Sequence, residues 1–195
     1  MVKISVIQQI DYCWKSVEKS PDESYVFPHR TSNFMKSEYS RPGIYRWVVY
    51  SPNGAPVAAY FGEAENLVKR IGQYLRPGES QRTNLRLHME FHRYIKNQRT
   101  VKMDILDFSP FRLNSIEASV SDLHNRCLRI MLEAFAILNF KSSRETKECR
   151  LMNLQMSSPD RKIRRAIEII SETTTDAPEY GPEGSHPPSQ LRGPR

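Results

Sequence analysis

The sequence predicts an α+β fold: a small three-stranded antiparallel sheet flanked by helices, with an irregular N-terminal extension and a disordered C-terminal tail. Three observations carry this expectation. Two strand-like runs, IYRWVVY at 44–50 and PVAAYF at 56–61, flank Ser51-Pro52-Asn53-Gly54, and Asn-Gly between such runs is a strong hairpin signal. A third run, TVKMDILDF at 100–108, alternates Val101, Met103 and Ile105 as a half-buried strand does. Apolar stripes at helical spacing separate and follow these runs, so helices must cover the sheet.

The elements are expected in the following order. Residues 2–8 (VKISVIQ) suit a short strand, and 20–42, with Pro21, Pro28 and Pro42, read as loop with short helical pieces. After the hairpin, 64–75 place Ala64, Leu67, Val68, Ile71 and Leu75 on one helical stripe, stopped by Pro77-Gly78. A second, basic helix spans 81–98 with Leu85, Met89, His92 and either Ile95 or Tyr94 inward. A long helix covers about 114–140, its buried face marked by Ile116, Val120, Leu123, Cys127, Ile130, Met131, Ala134 and Leu138. A short amphipathic helix follows at 160–171. From Thr173 the composition is too polar to offset the entropy of ordering. The resulting division is an extension (1–40), a principal domain (41–156), a basic amphipathic helix (157–172) and a disordered tail (173–195).

At 195 residues, with 26% charged residues and mean hydropathy -0.61, the chain has room for one sizeable core. It has no apolar run of membrane-spanning length and no long apolar stretch in the opening MVKISVIQQIDYCW, so an intracellular, cytoplasmic location is expected and no membrane partner. Cys13, Cys127 and Cys149 are odd in number and scattered, which argues against a disulfide framework or a cysteine zinc site. The net charge is +7, and its distribution is uneven. Between Lys69 and Lys102 lie nine basic residues (Lys69, Arg70, Arg76, Arg82, Arg86, Arg93, Lys96, Arg99 and Lys102), opposed only by Glu79 and Glu90, so this stretch alone carries +7. Such a stripe is the footprint of a polyanion binder, though a solvated basic helix has the same composition. His88 and His92, four apart on the same helix, suit phosphate contact or solvation better than metal ligation, since no third ligand is nearby in sequence.

Gly43-Ile44-Tyr45 opens the first central strand and Tyr60-Phe61-Gly62 closes the second. Arg70 follows eight residues later, Tyr74 four after that, and Glu133 and Asn153 come downstream. With the run YFGEAENLVKRIGQY at 60–74, this pattern resembles the GIY-YIG nuclease family, including its excision-repair, restriction and homing branches, over roughly residues 41–155. The resemblance implies the GIY-YIG fold and a DNA endonuclease that hydrolyses phosphodiester bonds at a single site. It implies Glu133 as the ligand of one divalent cation, Mg²⁺ or Mn²⁺, which suits a lone carboxylate with several retained waters. Arg70 would clamp the scissile phosphate, Tyr45 and Tyr60 would position the water, and Tyr74 would assist from the same helix face as Arg70. One of the two motif tyrosines, acidified by nearby positive charge, is a candidate general base. Gly62 and Asn153 take supporting places, with Asn139 as an alternative to Asn153. Lys69, Arg76, Arg82, Arg86, His88, Arg93 and Lys96 are the expected nucleic-acid contacts.

Glu133 also has a plainer reading, as a surface pair with Arg129 four residues earlier, but it interrupts an apolar run, which sets it near the core boundary. The sequence departs from the family in a fourteen-residue spacer between Tyr45 and Tyr60, in Glu63 where the repair branch has a lysine, and in the long interval from Glu133 to Asn153. One site cuts one strand, so a homodimer is a possible partner arrangement. The alternative expectation is a non-catalytic nucleic-acid-binding module that keeps the fold.

Overall fold

A run such as GIYRWVVY is buried on both of its faces, so it can only be a central strand, and the rest of the molecule is arranged around it. The computed structural model describes residues 12–107, 111–113, 116–118, 120–143 and 147–153. In chain order these form β1 (Cys13–Ser16), β2 (Glu18–Ser20), β3 (Glu23–Ser24), α1 (Asn33–Tyr39), β4 (Gly43–Tyr50), β5 (Pro56–Ala64), α2 (Leu67–Leu75), α3 (Arg82–Lys96), β6 (Thr100–Asp107), β7 (Phe111–Leu113), β8 (Ile116–Ala118), a 3-10 turn (Val120–His124), α4 (Arg126–Ser142) and β9 (Arg150–Leu151).

The class is α+β, and the main sheet has five strands rather than three. Its order is β1-β6-β4-β5-β9, antiparallel except for the β5–β9 pair. The three expected strands are its centre. The β4–β5 hairpin turns through Gly54, whose φ of 83° is readily reached only without a Cβ. The additions come from both ends of the described chain. β1 pairs with β6 and β9 with β5, so segments with little strand signal of their own are ordered by the ladder beside them.

The two faces of the sheet are covered differently. Tyr45, Trp47 and Val49 of β4, with Ala58 and Tyr60 of β5 and Met103 of β6, form one large core with α1, α2, α3 and the 17–27 segment. Ile44, Ala59, Phe61 and Leu106 project the other way and pack under α4, through Leu132, Ala136 and Ile137.

Several expectations need correction. Residues 20–42 lie for the greater part outside helix and strand, with one short helix, α1, but they are not peripheral: Tyr25, Phe27, Met35 and Tyr39 are core residues, and the packing they gain holds the β2–β3 hairpin and α1 in place. Ala64 ends β5, and Asn66 starts α2 by accepting the Lys69 N–H at 2.9 Å. On α3, Leu85 (39% exposed) and Met89 (58%) face outward, His92 is only part-buried, and the buried stripe is Asn84, Leu87, Phe91 and Tyr94. The bulkier aromatic stripe takes the core. The long helix begins at Arg126, not near 114, since Asn125 caps it by accepting from the Cys127 and Leu128 N–H groups. Ile116 lies in β8, Val120 in the 3-10 turn, and Leu138 is exposed. The expected strand at 2–8, the helix at 160–171 and the tail lie outside the described residues. Among the described residues no helix is long and apolar enough to cross a membrane.

Candidate phosphate site at the sheet end

The β4–β5 register sets Tyr45 directly opposite Gly62. The Tyr45 ring lies across that glycine so closely that a Cβ on Gly62 would stand 2.2 Å from the phenol oxygen. No other residue fits beneath the ring without moving it. α2 then supplies the partners. Leu67, Ile71 and Tyr74 face the core, which aims Arg70 along the rim between them. Arg70 Nε–H donates to Tyr45 Oη at 2.9 Å, and Tyr45 Oη lies 2.8 Å from Tyr74 Oη. Arg70 Nη1 donates to Gln73 Oε1 at 2.9 Å, and the guanidinium stacks 5.3 Å from the Tyr74 ring centre. The result is a fixed guanidinium–phenol–phenol chain. The Tyr60 ring packs edge-on against Tyr74 at 6.3 Å.

Burial sets the charge states. It pushes the Tyr45 phenol well above its ordinary value, helped by neighbouring Tyr60 and opposed by Arg70. Tyr74 moves the same way, again chiefly through burial. Of the two motif tyrosines, Tyr45 is therefore not one made more acidic by nearby positive charge: desolvation exceeds the effect of the cation. Burial also works against the Arg70 charge, but the oxygens of Tyr45 and Tyr74 outweigh it, and Arg70 holds its proton more firmly than an ordinary arginine.

Arg70 opens on a cavity of about 600 Å³. It lies where β5 ends and α2 begins, so the two faces of the sheet meet there. Lys69 and Arg70 of α2 line it with Arg126 and Arg129 of α4, against Glu63 and Glu65. Glu63 accepts the Arg129 Nε–H at 2.8 Å, while Arg129 Nη1 donates to the backbone oxygens of Leu123 (2.6 Å) and His124 (3.0 Å). Arg126, Arg129, His124 and Gln73 are not among the site residues expected from the sequence. The only available clue was the Asn125 cap, which fixes where α4 points its first turn.

Glu133 is buried (5% exposed) on α4, the helix across the sheet from Tyr45, Tyr60 and Tyr74, and it is not in the lining of this cavity. Both it and Arg129 are buried, so neither belongs to an exposed surface pair. Among the described residues no three His, Cys, Asp or Glu side chains group together as a cation cage. Asn153 bonds both backbone groups of Phe61: its Oδ1 accepts from Phe61 N at 3.0 Å and its Nδ2 donates to Phe61 O at 2.8 Å. It thereby extends the β5–β9 ladder next to Tyr60 and Gly62. Asn139 instead donates to the Tyr12 hydroxyl at 2.7 Å.

Of the basic-stripe residues, Lys69 is in the cavity, and Arg76, Arg82, Arg93 and Lys96 are exposed. Arg86 is engaged with Glu90 and the Met152 carbonyl, and it ties α3 to the segment after β9. The His88 Nδ1 lies 2.8 Å from the Tyr74 carbonyl, to which only a protonated nitrogen can bond. Both His88 and His92 rest edge-on against Phe27, and burial, then His88 and Lys96, lower the His92 pKa. Comparison with known proteins finds no matching family, no matching curated protein and no matching solved structure.

Proposed function

We propose that this chain is a nuclease of the GIY-YIG type that hydrolyses DNA phosphodiester bonds. The observation that carries the reading is the hydrogen-bonded chain from Arg70 through Tyr45 to Tyr74, held over Gly62 at the rim of a cavity with four cationic side chains. A fixed guanidinium suits a phosphate oxygen and the charge that grows on it during hydrolysis. Tyr45 and Tyr74 keep their protons at neutral pH, so they act as donors and positioning groups, and neither starts as the base. The exposed Arg76, Arg82, Arg93 and Lys96 would track the backbone beyond the cleaved bond. A double-strand cut would take two copies of the chain.

The resemblance implies one divalent cation, Mg²⁺ or Mn²⁺, which when bound would supply Lewis-acid charge. Glu133 has the hard oxygen donor such an ion prefers. Its burial and its place outside the cavity lining do not fit an ion shared with Arg70.

The test is nicking of supercoiled plasmid with Mg²⁺, Mn²⁺ or EDTA. Wild type nicks with metal, and Arg70→Ala abolishes nicking while thermal unfolding stays near wild type. Gly62→Ala lowers the rate about 100-fold, because it moves the Tyr45 phenol away from Arg70. An intact plasmid under every metal, still shifted on a gel, favours the second reading. That reading is a non-catalytic phosphate-backbone binder on the same fold, and it does not need Glu133, which is not among the residues lining the cavity. Glu133→Ala distinguishes them further: loss of nicking without unfolding supports the metal role.

A further inference from the structure

We infer that Arg129 is a second phosphate-binding guanidinium of the cavity and that Glu63 is its exchangeable counter-ion, displaced when a phosphate enters. The inference rests on reading the cavity as a phosphate site, and it adds residues that neither the motif pattern nor the Arg70 cluster includes.

The Arg129 side chain is 5% exposed, and its head is fixed by two backbone carbonyls, Leu123 and His124, independently of Glu63. Glu63 is 23% exposed at the side chain, and its carboxylate accepts the Arg129 Nε–H. In this pair the arginine is anchored and the carboxylate sits at the water side. A guanidinium buried to that degree needs an anion beside it, because an uncompensated buried charge is strongly unfavourable. The anion need not be Glu63. A phosphate in the cavity can offer oxygens to Arg129 and to Arg70 together, with Lys69 and Arg126 on the same walls. Glu63 left in place would repel that phosphate, so binding and the swing of Glu63 away from Arg129 are coupled. Before binding, the Glu63–Arg129 pair keeps the cationic wall from standing uncompensated. Afterwards Glu63 turns to solvent, a short move for a side chain at the end of a strand.

The probes are inorganic phosphate alone and a short DNA duplex, both in EDTA so that no cleavage occurs. In wild type, the Arg129 Nε resonance, followed by NMR of the full chain, shifts on titration with the probe, as does that of Arg70. Glu63→Gln keeps the shape but removes the competing charge, and it tightens phosphate binding about tenfold. Arg129→Lys loses the fork geometry, weakens binding about tenfold and cancels the gain from Glu63→Gln when the two are combined. An Arg129 resonance that stays still while Arg70 shifts overturns the inference, as does Glu63→Gln that folds normally and binds phosphate no better. Because the wild-type titration needs no substitution, a variant that fails to fold does not block the test. Response to the duplex at lower concentration than to phosphate assigns the anion to a nucleic-acid backbone, and response to phosphate alone assigns a small phosphate ligand; the exchange stands in both. Binding with exchange but no plasmid nicking ends the nuclease reading and leaves this inference intact. No shift at either arginine ends both.

Discussion

The two faces of the central sheet are built on different physics. One face is a continuous aromatic core: Trp47 is fully buried and its ring meets those of Tyr25, Phe27, Tyr74 and Phe91 at 5.3–6.1 Å. The other face divides its apolar residues into two smaller clusters and places charge among them. Arg46 bonds Asp104 at 2.8 Å under the Trp14 ring, Arg129 bonds Glu63, and Glu133 is buried on α4. The aromatic face gives rigidity, since interlocked rings leave Tyr45 and Tyr74 one arrangement. The charged face gives reactive groups. The proposed site stands at the sheet end, where Arg70, backed by the phenols of the first face, lines one cavity with Arg126 and Arg129 of the second.

Trp47→Ala should have the largest effect on this contrast. Truncating a ring at the centre of the aromatic face costs about 4 kcal/mol of stability. Urea unfolding measures it. The indole N–H has no hydrogen-bond partner among the described residues, so the loss is one of packing alone. A cost no greater than that of a surface substitution would mean that the aromatic face is not the stabilising layer.

Next is the charged face. Asp104 accepts from Arg46 Nε and from Ser16 Oγ at 2.8 and 2.9 Å, and it is nearly buried. Asp104→Ala leaves Arg46 without its anion. Because the Arg46 side chain keeps 26% exposure, the cost is about 2 kcal/mol, below the range for a fully buried pair. Asp104→Asn should recover about half by keeping hydrogen bonds. Equal stability of Asp104→Ala and wild type would show that this face gains nothing from its ion pair.

How much of this was legible depends on where the determining contact lies. β4, β5, β6 and the hairpin turn follow from local pattern, and so does the gathering of Tyr45, Gly62, Arg70 and Tyr74, because a hairpin and one helical turn fix all four. The Asn125 and Asn66 caps were available as signals and would have set the starts of α4 and α2. Other features have no local signature. β1 exists through its pairing with β6, some ninety residues away in the chain. The Glu63–Arg129 bond spans 66 residues, while spacing alone pointed to Arg129 with Glu133. The choice between the two apolar stripes of α3 was made by Phe27 and Trp47, which no reading of 81–98 contains.

Alkaline pH gives a smaller effect. Tyr25, Tyr45 and Tyr74 are phenols whose pKa burial raises on folding. Above the ordinary tyrosine value, about 10, the unfolded chain loses these protons first and so binds fewer than the native state. The stabilisation is fully present below about pH 10 and is lost as pH climbs towards the native values. Unfolding free energies measured from pH 8 to pH 11 should be level at first and then fall. The fall should be shallower in Tyr45→Phe/Tyr74→Phe. A double variant with the wild-type slope would place these two rings outside the buried network.

The smallest effect belongs to the outer side of α3, where the aromatic face ends and solvent begins. Leu85 and Met89 have the spacing of a core stripe, yet they are exposed, and Leu87 and Phe91 are fully buried. Met89→Lys should change stability by no more than about 0.5 kcal/mol, because nothing packed is removed. Leu87→Ala, two residues away on the same helix, should cost about 3 kcal/mol. The pair of measurements fixes the rotation of α3 about its axis. Were the costs reversed, the helix would sit about half a turn from the orientation described, Phe91 would leave Trp47, and His88 would lose the Tyr74 carbonyl through which α3 supports the site.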